Sequence, residues 1–320
     1  MSTKAKLIAV ICCVIAAAAI LVAVNMSGSG GEYVTAGFNA EFLTRPDGHP
    51  GLKEAYNFEF AEPPKQMDTG LMYKACANKA VDVICAFATD GRIEAYNLYT
   101  LDDNKNFFPP YYAAPLMRAD LVAEYPQVQE ILNKLGGKIS DSEMREMNYK
   151  ADRDKDPLDP EEVATEFLVS EGLIDPNAQP GTGAAGTVTV GGKDFTEQQI
   201  LGEMMSLLIE YNSDLKVTRK LYLGGTMICF NALKSGNLDV YAEYTGTGLV
   251  NILQDDIIPD PDKAYNYAKE KFENKWNLIW GEPFGFNNTY TLTMRKAQAE
   301  QLGIETVSDL AEHIRQHKQD

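Results

Sequence analysis

An α/β fold with mostly parallel sheets is predicted for this chain, because strand-like and helix-like segments alternate along it. Three stretches carry that reading. The β-branched run Thr187-Val188-Thr189-Val190 passes through Gly191-Gly192 into a helical pattern over 197–211. LDVYAEY at 238–244 follows a helical pattern around 226–235, and VDVICAF at 81–87 follows one around 70–79. Ligands of such sheets bind beyond the carboxyl ends of the strands. Lys193, Phe87 and Tyr244 fall just past the expected strand ends.

Taken in order, the chain opens with Lys4 and Lys6 ahead of an uninterrupted apolar run, Leu7 to Val24. Those 18 residues are long enough to span a bilayer. The flanking lysines favour an inside N-terminus with the rest of the chain outside. A cleaved signal peptide has a shorter apolar core and a small-x-small site. Ala23-Val24-Asn25 lacks that pattern, and Ser27-Gly28-Ser29 meets it weakly. Cys12 and Cys13 lie inside the run, where a lipid-modified processing cysteine would not sit. The expectation is an uncleaved anchor over 1–31, ending in the leash SGSGG, with an extracytoplasmic domain beyond it.

Arg45 precedes Pro46-Asp47-Gly48, a run with turn chemistry. Met72 and Tyr73 sit in a helical pattern and read as core. In the extended stretch FFPPYYAAPLMR (107–118), Tyr111 and Tyr112 should point opposite ways. DRDKDPLDPEEV (152–163) superficially suggests a calcium loop, but Pro157 and Val163 replace the glycine and glutamate that such a loop needs. It reads as a solvated turn before a helix at 161–170. IDPNAQPGTGAAG (174–186) is rich in Pro, Gly and Ala without periodicity, as a flexible linker would be. Thr196 and Gln199 have capping-box spacing at a helix start, and a loop entering a helix N-terminus offers free N–H groups to an anion. LGGT (223–226) is a glycine turn into a helix, not a dinucleotide fingerprint. His313 and His317 have i, i+4 spacing without an HExxH glutamate, so solvent-exposed histidines are expected rather than a zinc site.

Composition fits one globular region of about 290 residues after the anchor, enough for two lobes or one large domain. The net charge of −17 argues against nucleic acid and against adhesion to anionic lipid. Cys76, Cys85 and Cys229 are an odd set outside the apolar run, so they read as buried free thiols. Neither a Walker loop nor a GxSxG elbow is present, and no pair of carboxylates has recognisable catalytic spacing. A secreted hydrolase is therefore disfavoured, and no enzyme activity or cofactor is expected.

Several motifs resemble one family. KDFTEQQILGEM (193–204), LGGTMICFNALKSGNLD (223–239) and YAEYTGTG (241–248) resemble the opening segments of substrate-binding proteins of osmoprotectant ABC importers. GFNNTYTLTMRKAQAEQLGIETVSDLA (285–311) is similar to the next segment. AGFNAEFLTRPDGHPGL (36–52), GLMYKACANKAVDVICAFATDGRI (70–93) and FFPPYYAAPLMR (107–118) are similar to those that follow. The order departs from the family's. Residues 32–174 resemble its second half and 187–320 its first, which a circular permutation would produce. Glu32 and Asp320 should then be neighbours. A chain cut from a tandem array is the alternative, and a swapped dimer would then complete each site.

The resemblance implies a two-lobed, type II periplasmic-binding-protein-like fold with a ligand between the lobes. Lobe two would combine 32–100 with 282–320, and lobe one would run over 101–281, including the linker 175–186. It also implies a receptor for quaternary ammonium solutes such as glycine betaine, carnitine or choline, serving an ABC permease and its ATPase. A membrane-tethered sensory module for the same amines is the alternative. An aromatic box maps onto Tyr244, Tyr290, Phe87 and Tyr111, with Phe87 where family members often carry tyrosine. Lys193, Arg45 and Thr247 match the positions that hold a ligand carboxylate, which favours a carboxylate-bearing ligand. Asn288 would offer a backbone carbonyl to the methyl groups, with Gln198 and Thr89 as outer contacts.

Overall fold

The computed structural model describes residues 33–317. The apolar run expected to anchor the chain lies outside the described residues, as do Glu32 and Asp320. No helix among the described residues is long and apolar enough to cross a membrane.

The strands of the described residues are β1 (Ala36–Phe38), β2 (Lys65–Gln66), β3 (Val83–Phe87), β4 (Leu98–Thr100), β5 (Ala113–Arg118), β6 (Gly186–Gly191), β7 (Leu215–Lys220), β8 (Val240–Tyr244), β9 (Leu278–Trp280) and β10 (Tyr290–Arg295). They form two five-stranded sheets, ordered β2-β1-β3-β10-β4 and β7-β6-β8-β5-β9. The two orders follow one plan. In each, parallel strands from one part of the chain flank a single strand, β10 or β5, that arrives from the other sheet and runs antiparallel to both neighbours. The pairings are thus more mixed than strand–helix alternation predicts, because that incoming strand enters from the cleft side. The chain passes between the sheets at 101–112 and again at 281–289.

Helices cover both sheets. The helix Thr196–Asn212 is buried on nearly every side, including Ile200, Leu201, Met204, Met205 and Leu208. It packs between β7 and the helices Asp141–Asp152 and Pro160–Ser170. The expected capping box does not form. Phe195 is the N-cap without a side-chain cap bond, and the Thr196 hydroxyl donates to Asp152 Oδ1 at 2.7 Å. The helix begins one residue earlier than the spacing implies, which puts Thr196 inside its first turn, where its hydroxyl cannot cap, and leaves that hydroxyl free to bond Asp152.

Two other expectations, the flexible linker and the exposed histidines, resolve differently from their sequence reading. The 175–185 segment has no helix or strand, yet it is held to the surface. Thr182 donates to Asp214 Oδ1 through its N–H at 2.6 Å and its hydroxyl at 2.8 Å, and Gly181 N–H donates to Glu210 O at 2.7 Å. As read from sequence, the acidic 152–163 stretch is a largely exposed turn between the helices Asp141–Asp152 and Pro160–Ser170, and ion pairs tie its start, with Asp152 on Arg92 at 3.2 Å and Asp154 on Lys74 at 2.6 Å. His313 and His317 are half-buried and stack on each other with ring centroids 4.2 Å apart. Cys76, Cys85 and Cys229 are free and buried.

Candidate functional site

Sheet register assembles the centre of the site. Tyr290 opens β10 directly opposite Phe87, the last residue of β3, and their ring centroids lie 5.2 Å apart. In the second sheet Tyr244 closes β8 opposite Ala113 of β5, and Tyr112 N–H donates to Thr245 Oγ1 at 3.1 Å. That pairing sets Tyr111 against the turn after β8. Gly246 is required there, because a Cβ would lie 2.8 Å from both Pro110 O and the Tyr111 ring. Tyr111 is buried while Tyr112 is half-exposed, so the two neighbours do point opposite ways. The chain then enters a π-helix, Thr247–Leu253, a rare geometry that recurs at functional sites.

One cavity of about 590 Å³ lies between the two sheets. Tyr244, Tyr290, Phe87, Tyr111, Lys193, Arg45, Thr247 and Asn288 all line it. Phe195, which sequence reasoning passed over, joins them. Its ring stacks on Phe87 at 5.6 Å with 6° between planes, and lies 6.3 Å from Tyr244. Tyr111 meets Tyr290 edge-on at 5.5 Å. The rings thus run in a continuous series, Tyr244, Phe195, Phe87, Tyr290, Tyr111, drawn from both sheets. The signal for Phe195 was its place inside KDFTEQ, two residues after Lys193, where a ring at an N-cap faces the cleft.

Both expected cations are present, and each is already paired. Arg45 is buried and grips Asp47 with two bonds, Nε to Oδ1 at 2.8 Å and Nη2 to Oδ2 at 2.5 Å. Tyr111 donates its hydroxyl to the same Asp47 Oδ2 at 2.5 Å. The Arg45 guanidinium carbon sits 5.5 Å from the Tyr290 ring centroid and 5.9 Å from that of Tyr111. Lys193 Nζ donates to Glu243 Oε1 at 2.6 Å and to Thr226 Oγ1 at 3.0 Å, and lies 5.2 Å from the Tyr244 ring centroid. Glu41, not singled out from sequence, lines the same space. It accepts from Thr226 N–H at 2.7 Å, from the Thr226 hydroxyl at 3.1 Å and from Arg45 Nη1 at 3.4 Å. Burial works against its ionisation, but Lys193, Arg45 and the Thr226 bonds together hold its carboxyl below the usual range.

Behind the rings lies a second polar centre. Glu197 is buried and accepts four bonds: from the Thr89 hydroxyl at 2.5 Å, Asn148 Nδ2 at 2.9 Å, the Tyr244 hydroxyl at 2.7 Å and Asn288 Nδ2 at 2.8 Å. Burial raises its pKa, and the four donors offset part of that rise. Thr89 follows β3 of the first sheet, whereas Glu197 and Tyr244 belong with the second, so this cluster joins the lobes. Gln198 donates to the Tyr244 hydroxyl at 3.2 Å and to Ala242 O at 2.9 Å. Thr89 and Gln198 therefore support the cavity from behind and do not line it. Asn288 presents its amide to Glu197, a role its expected backbone contact did not foresee.

Two lobes of one topology, with a ring-walled cleft between them where the chain crosses twice, define a two-lobed binding-protein fold. The chain belongs to the family described as the substrate binding domain of ABC-type glycine betaine transport systems, whose model matches residues 27–170 and 186–320. A carnitine transport binding protein of Listeria monocytogenes is 41% identical over 136 residues, which is 42% of this chain and 43% of that protein. An ergothioneine transport permease and binding protein of Helicobacter pylori is 42% identical over 127 residues, or 39% of this chain and 22% of that protein. A solved glycine betaine/carnitine/choline ABC transporter structure is 36% identical, covering 45% of this chain and 52% of that one, with a TM-score of 0.35. The chain thus spans less than half the length of these two curated relatives.

Proposed function

We propose that this chain is an extracytoplasmic receptor that captures a quaternary ammonium solute between its lobes and hands it to an ABC permease powered by a separate ATPase. The observation that carries the reading is the ring series Tyr244, Phe195, Phe87, Tyr290 and Tyr111 around one cavity. A trimethylammonium group has no N–H to donate. It is held instead by aromatic faces, each contributing about 0.5–2 kcal/mol according to desolvation. Charge supports a cationic guest, since Glu41, Asp68, Asp152 and Asp194 line the cavity against Arg45, Arg92 and Lys193. Hinge closure about the two crossings would seal the ligand from water. The apolar run Leu7–Val24 would hold the receptor at the membrane.

The halves stand, in this proposal, in circularly permuted order. The family match falls in two blocks on either side of 171–185. A sequential alignment follows only one half of a reordered chain, in keeping with a match of 136 residues to the carnitine-binding relative.

Calorimetric titration of the whole chain with choline, glycine betaine and carnitine tests the function. Saturable one-to-one binding is expected for at least one of them. Tyr244→Ala should weaken it by about 2 kcal/mol, roughly 30-fold, through loss of one ring face. Absence of saturable binding by the folded chain for all three would refute the reading.

A further inference from the structure

Lys193, Arg45 and Thr247 converge as a site for a ligand carboxylate would require, but a carboxylate of the protein already stands among them. Bonds run without a break from Lys193 Nζ to Thr226 Oγ1, from Thr226 to Glu41, and from Arg45 Nη1 to both Glu41 Oε2 and Thr247 Oγ1. Glu41 thus takes the Thr226 N–H, which opens the helix Thr226–Lys234 and would otherwise face an incoming anion. It also takes the one Arg45 nitrogen not committed to Asp47.

The charge count points the same way. Arg45 and Lys193 supply two positive charges, and Asp47, Glu243 and Glu41 supply three negative ones. Arg45 is matched by Asp47 at 2.5 Å and Lys193 by Glu243 at 2.6 Å, so Glu41 is the uncompensated member. It is also the member nearest water, with 35% of its side chain exposed. A second carboxylate entering here would meet net negative charge and would have to displace Glu41 from three donors.

We infer that Glu41 is a specificity-determining residue, a built-in carboxylate that fills the anion subsite and turns the cleft toward quaternary ammonium cations that carry no carboxylate. The inference rests on the quaternary ammonium reading. It reverses the ligand preference expected from Lys193 and Arg45 as sequence alone presents them. A choline-type alcohol keeps the cationic head for the rings and offers a hydroxyl that can donate to Glu41. Glycine betaine offers only acceptors there.

The test is titration calorimetry with choline and glycine betaine on the whole chain and on Glu41→Gln and Glu41→Ala, with melting curves to establish that each variant is folded. The wild type should bind choline at least about tenfold more tightly than glycine betaine. In Glu41→Gln that ratio should fall by roughly tenfold or more, because the shape stays and the charge goes. Glu41→Ala gives the same readout if the glutamine variant does not fold, and its betaine affinity should rise. Wild-type preference for glycine betaine, or a ratio unchanged in a folded variant, overturns the inference and leaves the receptor reading intact. Failure of both ligands to bind the wild type overturns the inference, and failure of carnitine as well overturns the receptor reading.

Discussion

Replacing Glu197 with alanine removes the acceptor on which four buried donors converge. Asn148 Nδ2 keeps a second partner in Thr89 O at 3.1 Å, so its loss is partial. The Thr89 hydroxyl, the Tyr244 hydroxyl and Asn288 Nδ2 each lose their acceptor at buried side chains. Three orphaned donors at about 1–3 kcal/mol each set a gross cost of about 3–9 kcal/mol. Relief from burying a charge offsets several kcal/mol, which leaves a net loss of about 2–4 kcal/mol. Glu197→Gln keeps the shape and one carbonyl acceptor. Asn148 Oδ1 has no partner and can accept from the new amide if Asn148 turns over, so about 1 kcal/mol is expected. Urea unfolding followed by circular dichroism measures both variants. The pH dependence supplies an independent check on the cause. A carboxyl whose folded pKa is raised gives stability that is full below its unfolded value of about 4.3 and is lost as pH rises through the folded value. The wild type should therefore hold its largest advantage over Glu197→Gln at acid pH, with the gap narrowing toward neutrality. An alanine variant as stable as wild type, or a gap that widens with pH, would refute this account.

Two further expectations concern packing. Gly248→Ala should destabilise by about 1–3 kcal/mol in the same unfolding assay, because the new methyl lies 2.9 Å from Trp280 and 3.4 Å from Phe272 in a filled core. Burial lifts the Cys76 thiol to about 11 and those of Cys85 and Cys229 to about 12. Peptide mapping after iodoacetamide treatment at pH 8 should find these three unmodified in the native protein and modified once it is unfolded in urea.

Much of the site was legible through the family resemblance, which picked out the four rings, and strand ends read from β-branched runs independently placed Phe87 and Tyr244. Phe87 and Tyr244 close such runs, and Tyr290 opens one. The two-residue period of extended chain set Tyr111 and Tyr112 on opposite sides, and the family resemblance selected Tyr111. The charges were legible as residues but not as partners. Arg45 reaches Thr247 across 202 positions, and Thr226 reaches Glu41 across 185, separations that no local pattern encodes. Nothing in the local sequence singled out Glu41. Phe195 was absorbed into a helix-start motif whose capping box then failed, because Phe195 itself is the N-cap and Thr196 lies inside the first turn. Local propensity could not have shown either.

The same long-range pairings bear on how the two halves cooperate. Strand β10 sits between β3 and β4, and β5 sits between β8 and β9, so each sheet takes its antiparallel strand from the opposite half of the chain. That exchange brings Tyr290 onto Phe87 and sets Tyr111 beside the turn after Tyr244. Arg45, Phe87 and Tyr111 come from the half before the 175–185 segment, and Lys193, Tyr244 and Tyr290 from the half after it. One copy of the chain therefore completes the cavity, and a strand swapped from a second copy is not needed to close it. Since the rings are positioned by ladder hydrogen bonds, their geometry depends on which strands neighbour one another and not on which half comes first. Reordering the halves can thus leave a cage of this kind in place, provided both exchanged strands keep their registers.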